Sequence, residues 1–267
     1  MVSVCGTLTV NLLRIFNRMK TVVLGDIHGR TIWKDIVLKH HDADRFVFLG
    51  DYVSSREDIS SEQQISNLMD IIEFAINKNE SNPNSVILLR GNHDLQHLGY
   101  SWARCSNLNG QVSKWMSNYT DTFLENTQWV FVENDIVYSH AGVTETWMDM
   151  NGLTDIHQIN ELAPSDIFGF TPCKLSDYRG DSHTQPPTWV RPWTLLEYSF
   201  GDYTYIVGHT PTESAININS VVIESEYGKS MYDELKNKNQ VWTCDCLEDG
   251  GYILVEDGII VPCKFLE

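Results

Sequence analysis

The sequence is poor in basic residues. Lys and Arg number 19 against 36 Asp and Glu, a formal net charge of −17 at pH 7 with the pI near 4.8. A surface that acidic repels nucleic-acid backbone within a Debye length. A non-specific or processive nuclease needs a basic footprint, so extended nucleic acid is not an expected partner. Phosphorylated substrates stay admissible, because bound metal ions reverse the field locally. Long apolar runs are missing as well. Nothing approaches the roughly 18 residues of a membrane span, and no membrane association is expected. Arg14, Arg18 and Lys20 are scattered around a short Leu12-Leu13 run, without the basic-then-apolar-then-small order of a secretory signal. The expected location is cytoplasmic. There is no internal repeat, no low-complexity stretch and no C-x-x-C. The six cysteines are residues 5, 105, 173, 244, 246 and 263. Only Cys244 and Cys246 are close, on one face of a strand-like run, and all are expected to be reduced.

What remains is ordinary for a globular chain: 42% hydrophobic and 21% charged residues over 267 positions. Met19 precedes the first strand-like run, so residues 1–18 are expected to be an N-terminal extension and 19–267 a single domain. Val22–Leu24 reads as a strand, Thr31–His40 as a helix and Phe46–Leu49 as a second strand. Ser60 and Gln63 form a capping box. Ile65, Leu68, Met69, Ile72, Ala75 and Ile76 then follow with helical periodicity to about Lys78. Val86–Leu89 is a third strand. The first hundred residues thus read β-α-β-α-β, an open α/β sheet. The second half is richer in strands. "WVFVENDIVYSHAG" reads as two strands joined at Asn134-Asp135. Tyr203–Val207, Ser220–Ile223, Val241–Cys246 and Tyr252–Val255 are further strands, and Asp257-Gly258 turns a final hairpin. The connection 164–192 is long and weakly patterned, and long connections are often functional. One α/β domain on two sheets fits this order.

Several apolar runs end in polar residues of metal-ligand type. The first is followed by Asp26 and His28, the second by Gly50-Asp51, the third by Gly91-Asn92-His93-Asp94. "IVYSHAG" ends in His140 and "YIVGHTP" in His209. Each motif alone is weak; a D-x-H or a lone strand-end histidine is usually structural. Together they place carboxylate, imidazole and amide groups where open α/β sheets bind ligands. That mixture suits Mn²⁺, Zn²⁺, Fe or Ni rather than Ca²⁺. Six such residues exceed the needs of one catalytic zinc. Two divalent or transition metal ions are expected, manganese first, with iron, zinc or nickel as alternatives. Asp51 is the expected bridge, because its strand should lie between those of Asp26 and Asn92. Two such ions orient a phosphoryl group and lower the pKa of a shared water, which attacks phosphorus as hydroxide. His93 is placed to protonate the leaving oxygen. Arg191 in "WVRPW" is the expected cation for the developing charge.

The motifs "GDIHG", "GDYV", "LRGNHD", "SHAG" and "GHTP" resemble, in order, those of the calcineurin-like metallophosphoesterases. "LRGNHD", "WVRPW" and the closing "WTCDCLEDGGYILVEDG" are similar to the phosphoprotein-phosphatase branch, especially its bacterial and bacteriophage members. The resemblance implies a double β-sheet sandwich flanked by helices, with the active site at the strand ends. It implies that Asp26 and His28 hold the first metal, that Asp51 bridges, and that Asn92, His140 and His209 hold the second. His93 would be the acid, and Arg191 would bind phosphate. "GDYVSSRE" departs from the branch's usual "GDYVDRG". Ser54 stands where an Asp orients the catalytic His, and Ser55 where an Arg grips phosphate. Arg56 is the expected replacement for the arginine. Asp94 or Glu57 is the expected replacement for the orienting acid.

Other residues read as structural. His40 and His41 close a helix and are expected at the surface. Arg90 is expected in an ion pair, and the aromatic and Met residues of 100–150 mostly in the core. His97 and His183 are not assigned to the site, and Arg179 is undecided. The leading function is a metal-dependent phosphomonoesterase, acting on a phosphoprotein (phosphoserine or phosphothreonine) or a small phosphate ester. A dinucleoside polyphosphate hydrolase and a small-nucleotide phosphodiesterase stay open, as does a scaffold without metals. Nothing in the sequence indicates the oligomeric state.

Overall fold

The computed structural model of the chain describes residues 19–55, 57–100, 103, 105–165, 182–224 and 239–265. The extension 1–18, Arg56, Arg179, Cys5, Cys173 and much of the 164–192 connection lie outside them. In chain order the elements are β1 (Lys20–Leu24), α1 (Ile32–Lys39), β2 (Arg45–Phe48), α2 (Ser61–Ser81), β3 (Val86–Leu88), α3 (Asn92–His97), α4 (Gly110–Met116) and α5 (Thr120–Asn126). Then come β4 (Val130–Glu133), β5 (Ile136–Ser139), α6 (Glu145–Met150), α7 (Pro192–Tyr198), β6 (Thr204–Pro211), β7 (Ile216–Asn217), α8 (Ile218–Glu224), β8 (Val241–Asp245), β9 (Gly251–Glu256) and β10 (Ile259–Lys264). No described helix is long and apolar enough to cross a membrane.

The strands form two mixed five-stranded sheets, ordered β10-β9-β1-β2-β3 and β4-β5-β6-β8-β7. In the first, β1, β2 and β3 run parallel, and the β9–β10 hairpin adds to β1 antiparallel. In the second, β5, β6 and β8 run parallel between the antiparallel β4 and β7. The expected order of β1, β2 and β3 is observed, with β2 in the middle.

Strand periodicity builds the layers, because alternate side chains face opposite sides. Val22 and Leu24, Phe46 and Phe48, Val86 and Leu88 pack outward with Trp33, Ile65, Leu68, Ile72 and Phe123 of the helices. Val23, Val47, Ile87, Tyr138 and Ile206 point the other way, into an apolar layer between the sheets. Val137, Tyr205 and Val207 face the outer helices of the second sheet, with Trp147 and Leu195. The capping box at Ser60 and Gln63 is formed and starts α2. Asn134, in one hairpin turn, and Asp257 and Gly258, in another, have left-handed backbones. Cys105, Cys244, Cys246 and Cys263 are free thiols.

Three expectations need correction. Residues 220–223 belong to helix α8, not to a strand. The Asn217 side chain accepts the Ser220 N–H and starts a helical turn, and Asn219 bonds the Val241 N–H and the Asn239 carbonyl. This local capping overrides the β propensity of the Val-Val-Ile run. His40 is buried rather than exposed, its Nε2 2.9 Å from the Tyr252 hydroxyl. Burial and the nearby Lys20 and Lys39 push its pKa down. Arg90 is structural, but its partners are not carboxylates: it donates to the Leu124 and Thr127 carbonyls and the Thr127 hydroxyl, stacked over Trp129. Of the 100–150 aromatics and methionines, Trp129, Tyr138, Trp147, Met116 and Met148 are core, while Met150 is exposed.

Candidate metal centre

The ends of β1, β2, β3, β5 and β6 meet at one edge of the sandwich. The two loops after β1 and β2 are laced together by backbone bonds. The Asp51 carbonyl accepts the Ile27 and His28 N–H groups at 3.1 and 2.7 Å, and the Tyr52 carbonyl accepts the Gly29 N–H at 2.9 Å. His28, Asp51, Ser54 and His209 all have left-handed backbones, with φ of 47°, 49°, 70° and 62°. Such conformations cost on the order of 1–3 kcal/mol each outside glycine, and they gather at functional sites. His209 sits inside β6, longer than its expected run, where the register against β8 shifts between Val207 and Pro211. A bulge of this kind re-aims a side chain at a strand end.

Each carboxylate is pinned by one oxygen. Asp26 Oδ1 accepts the His209 backbone N–H at 3.0 Å, and Asp51 Oδ1 accepts the His93 N–H at 2.9 Å. Their second oxygens face the imidazoles. Asp26 Oδ2 lies 3.9 Å from His28 Nε2, and Asp51 Oδ2 lies 3.5 Å from His140 Nε2 and 3.8 Å from His93 Nε2. Backbone must come close for this. A Cβ on Gly208 would collide with the Asp26 carboxylate, and one on Gly91 with that of Asp51.

The imidazoles are oriented from behind. His28 Nδ1 is 2.9 Å from the Val53 carbonyl and His140 Nδ1 is 2.8 Å from the Leu49 carbonyl. A carbonyl only accepts, so each Nδ1 carries a proton and each Nε2 turns inward. Burial holds the His140 pKa down to about 3, and His209 lies well below the usual histidine range for the same reason. His140 is therefore neutral, and its Nε2 lone pair faces Asn92 Oδ1 at 3.0 Å. So placed, the two atoms turn toward one space, as two ligands of one cation do. His209 Nδ1 also lies 3.0 Å from Asn92 Oδ1. Its buried Nε2 has no hydrogen-bond partner among the described residues. Burial, and then Asp245 and Asp51, push the Asp26 carboxyl well above its usual range. Neutral imidazoles and crowded carboxylates fit divalent metal ions. Two groups have the reach to hold one: His28, Asp51 and His93, and Asp26, Asp51 and His140, each with ligand atoms within 4.8 Å of one another. Asp51 belongs to both.

The remaining expected residues differ in their placement. Arg191 reaches the rim, where Nη1 donates to the His209 carbonyl at 3.2 Å and to the Thr210 hydroxyl at 3.0 Å. Asp94, expected to back His93, instead accepts the Gly91, Asp51 and Tyr52 N–H groups at 3.0, 2.9 and 2.8 Å. It ties the β2 loop to the start of α3, and burial pushes its pKa up to about 7. Glu57 pairs with Arg30 at 2.5 Å, away from the role of orienting His93. Arg30, unremarked in the sequence, is also held by Glu248 at 2.8 Å. With His28, Thr212, Glu213 and Asp245 it lines a cleft of about 350 Å³ beside the centre. Also unassigned from sequence was His97. It is buried, with Nε2 2.8 Å from the Ser54 hydroxyl and Nδ1 2.8 Å from that of Ser113. Burial holds its pKa down to about 4. Residues so far apart in the chain carry no local signal of that contact.

Comparison with known proteins agrees with this geometry. Among solved structures, a cold-active protein-tyrosine phosphatase of a psychrophilic Shewanella species superposes with a TM-score of 0.58 at 15% identity, covering 91% of this chain and 77% of that one. A protein serine/threonine phosphatase from Saccharomyces cerevisiae, with similarity to human phosphatase PP5, gives 0.51 at 15% identity, covering 93% and 81%. At these identities the likeness is one of fold. No curated protein sequence matches the chain. The profile of the calcineurin-like phosphoesterases matches residues 19–241, most of the chain and all of the strand-end motifs, and the protein belongs to that family.

Proposed function

We propose that the protein is a binuclear metallophosphatase that hydrolyses phosphomonoesters, with phosphoserine and phosphothreonine in proteins as the leading substrates. The position of Asp51 carries this reading. Its carboxylate is common to two buried sets of metal-binding groups, the arrangement a bridging ligand requires. Divided by the family's motifs rather than by those two sets, which join His28 with His93 and Asp26 with His140, Asp26, His28 and Asp51 would hold one ion, and Asp51, Asn92, His140 and His209 the other. Two such ions, manganese first, supply Lewis-acid charge for the phosphoryl oxygens and lower the pKa of a water.

The chain's own residues supply the rest. The Val53 and Leu49 carbonyls fix the His28 and His140 tautomers, which keeps both lone pairs inward. His93 follows Asn92 directly and its Nε2 faces the same space as the Asp51 carboxylate. It is the group placed to give a proton to the leaving oxygen. Arg191, anchored on Thr210 beside His209, offers its guanidinium to a phosphoryl oxygen. The protein phosphatases among the fold neighbours favour a phosphoprotein over a nucleotide.

The test is turnover by the Mn²⁺-loaded protein of p-nitrophenyl phosphate and a phosphoserine peptide, beside bis-p-nitrophenyl phosphate and a diadenosine polyphosphate. Monoester turnover should dominate, and Asp51→Asn should reduce it by on the order of 10³-fold. Preferential cleavage of the diester or the polyphosphate would replace the substrate reading. An Asp51→Asn variant as active as wild type would remove the mechanism.

A further inference from the structure

Ser54 stands at the point where the chain departs from its family's usual motif, and its surroundings show what takes over. Its backbone is left-handed, with φ 70°, and its side chain is buried. The Ser54 hydroxyl lies 2.8 Å from His97 Nε2, at the end of α3, and His97 Nδ1 lies 2.8 Å from Ser113 Oγ in α4. The residue before Ser54 is Val53, whose carbonyl holds His28 Nδ1 at 2.9 Å. The Val53 carbonyl and the Ser54 N–H share one planar peptide. The orientation of that plane, and so the aim of the carbonyl, is set in part by the unusual φ of Ser54. Nothing in the serine favours that φ by itself. Its hydroxyl is tied to His97 from the far side.

We propose that His97 is a positioning residue of the metal centre: bridging Ser113 and Ser54, it holds the Val53 carbonyl against His28 and so aims the His28 lone pair at the metal. The inference rests on the reading of His28 as a ligand. It gives α4 a part in the site that none of its residues plays directly. It also accounts for Ser54, too short to do the work of the carboxylate usual at its position, as the far end of a brace. The brace involves no change of charge, since a neutral imidazole has one donor and one acceptor for two hydroxyls that serve as either. His97→Ala removes both bonds. His97→Gln keeps a side-chain amide within reach of one or both hydroxyls. Ser54→Gly removes the hydroxyl and leaves the left-handed backbone accessible but unpinned.

Mn²⁺ binding by calorimetry, with the electron paramagnetic resonance spectrum of the bound ion, tests this on the full chain. Circular dichroism of each metal-free variant checks that it is folded. His97→Ala and Ser54→Gly should each weaken one Mn²⁺ site by about 10–100-fold, the range for residues behind a ligand, and alter its spectrum. His97→Gln should recover part of the affinity. His28→Ala should abolish that same site. If His28→Ala weakens Mn²⁺ binding while folded His97→Ala and Ser54→Gly bind it as wild type does, the brace is wrong and the ligand reading stands. If His28→Ala binds Mn²⁺ normally, the ligand reading itself fails, and the brace with it. Should His97→Ala not fold, Ser54→Gly decides on the same criteria.

Discussion

The backbone N–H of His209 donates to Asp26 Oδ1 at 3.0 Å, across 183 residues of chain. Asp26 follows β1 of one sheet and His209 lies in β6 of the other. This bond therefore fastens the two sheets together at the point where the metal-binding groups converge. Its closeness depends on Gly208, whose missing side chain leaves room for the Asp26 carboxylate.

Gly208→Ala should thus damage the centre more than the fold. The added methyl group must displace the carboxylate or the bulge of β6. Overpacking of this kind costs about 1–3 kcal/mol. Mn²⁺ affinity measured by calorimetry should drop by at least about tenfold, while circular dichroism stays that of the folded protein. Wild-type affinity would show that the bulge yields without cost.

Divalent cations should stabilise the protein. Asp26 and Asp51 are buried within reach of each other and of neutral histidines, and Asp26 is strained toward its protonated form. A cation relieves this only in the folded state. Free Mn²⁺ at 100 times its Kd should add about 2.7 kcal/mol for each site, seen as a rise in Tm. EDTA should reverse the rise, and Asp51→Asn should abolish most of it. Equal shifts in wild type and Asp51→Asn would place the bound ions elsewhere.

Arg191 is expected to act on substrate rather than on metal. Its bonds to the His209 carbonyl and the Thr210 hydroxyl orient the guanidinium at the rim of the centre. Arg191→Lys keeps the charge but loses the planar fork. Turnover of a phosphate ester should fall by about 10–100-fold, with Mn²⁺ affinity unchanged. Loss of Mn²⁺ binding in this variant would instead make the arginine a support of His209.

Stability should decline in acid partly through His97. Burial lowers its folded pKa to about 4 from 6.5, so the folded state binds fewer protons than the unfolded one between these values. Its contribution is complete above pH 6.5 and is lost as pH falls toward 4, up to about 3 kcal/mol. Denaturant unfolding of the metal-free protein at pH 7 and pH 5 measures the loss. His97→Gln should reduce the difference between the two, because Gln carries no proton to gain.

Much of this architecture was legible in the sequence. Continuous apolar runs at Val22–Leu24, Phe46–Phe48 and Val86–Leu88, with Gly and a polar residue close behind each, announce strands whose ends carry chemistry. Their order also places Asp51 between Asp26 and Asn92, because consecutive β-α-β units put sequential strands side by side. Local patterns of this sort need no partner to be read. In segment 220–223 the β-branched residues speak for a strand, while Asn217 and Asn219, bonding to Ser220 and across to β8, decide for a helix.

By itself the sequence determined the residue types at the strand ends, their order, and the class of ion they suit. The tertiary structure alone decided which of their atoms face one another. Asp94 is spent on three backbone N–H groups, Glu57 on Arg30, and His97 spans from Ser113 to Ser54. Each of these choices depends on distances between residues 16 to 43 apart in the chain or on competition for one carboxylate among several donors. Hydrogen bonding falls off within a few tenths of an ångström, so only the packed chain resolves it.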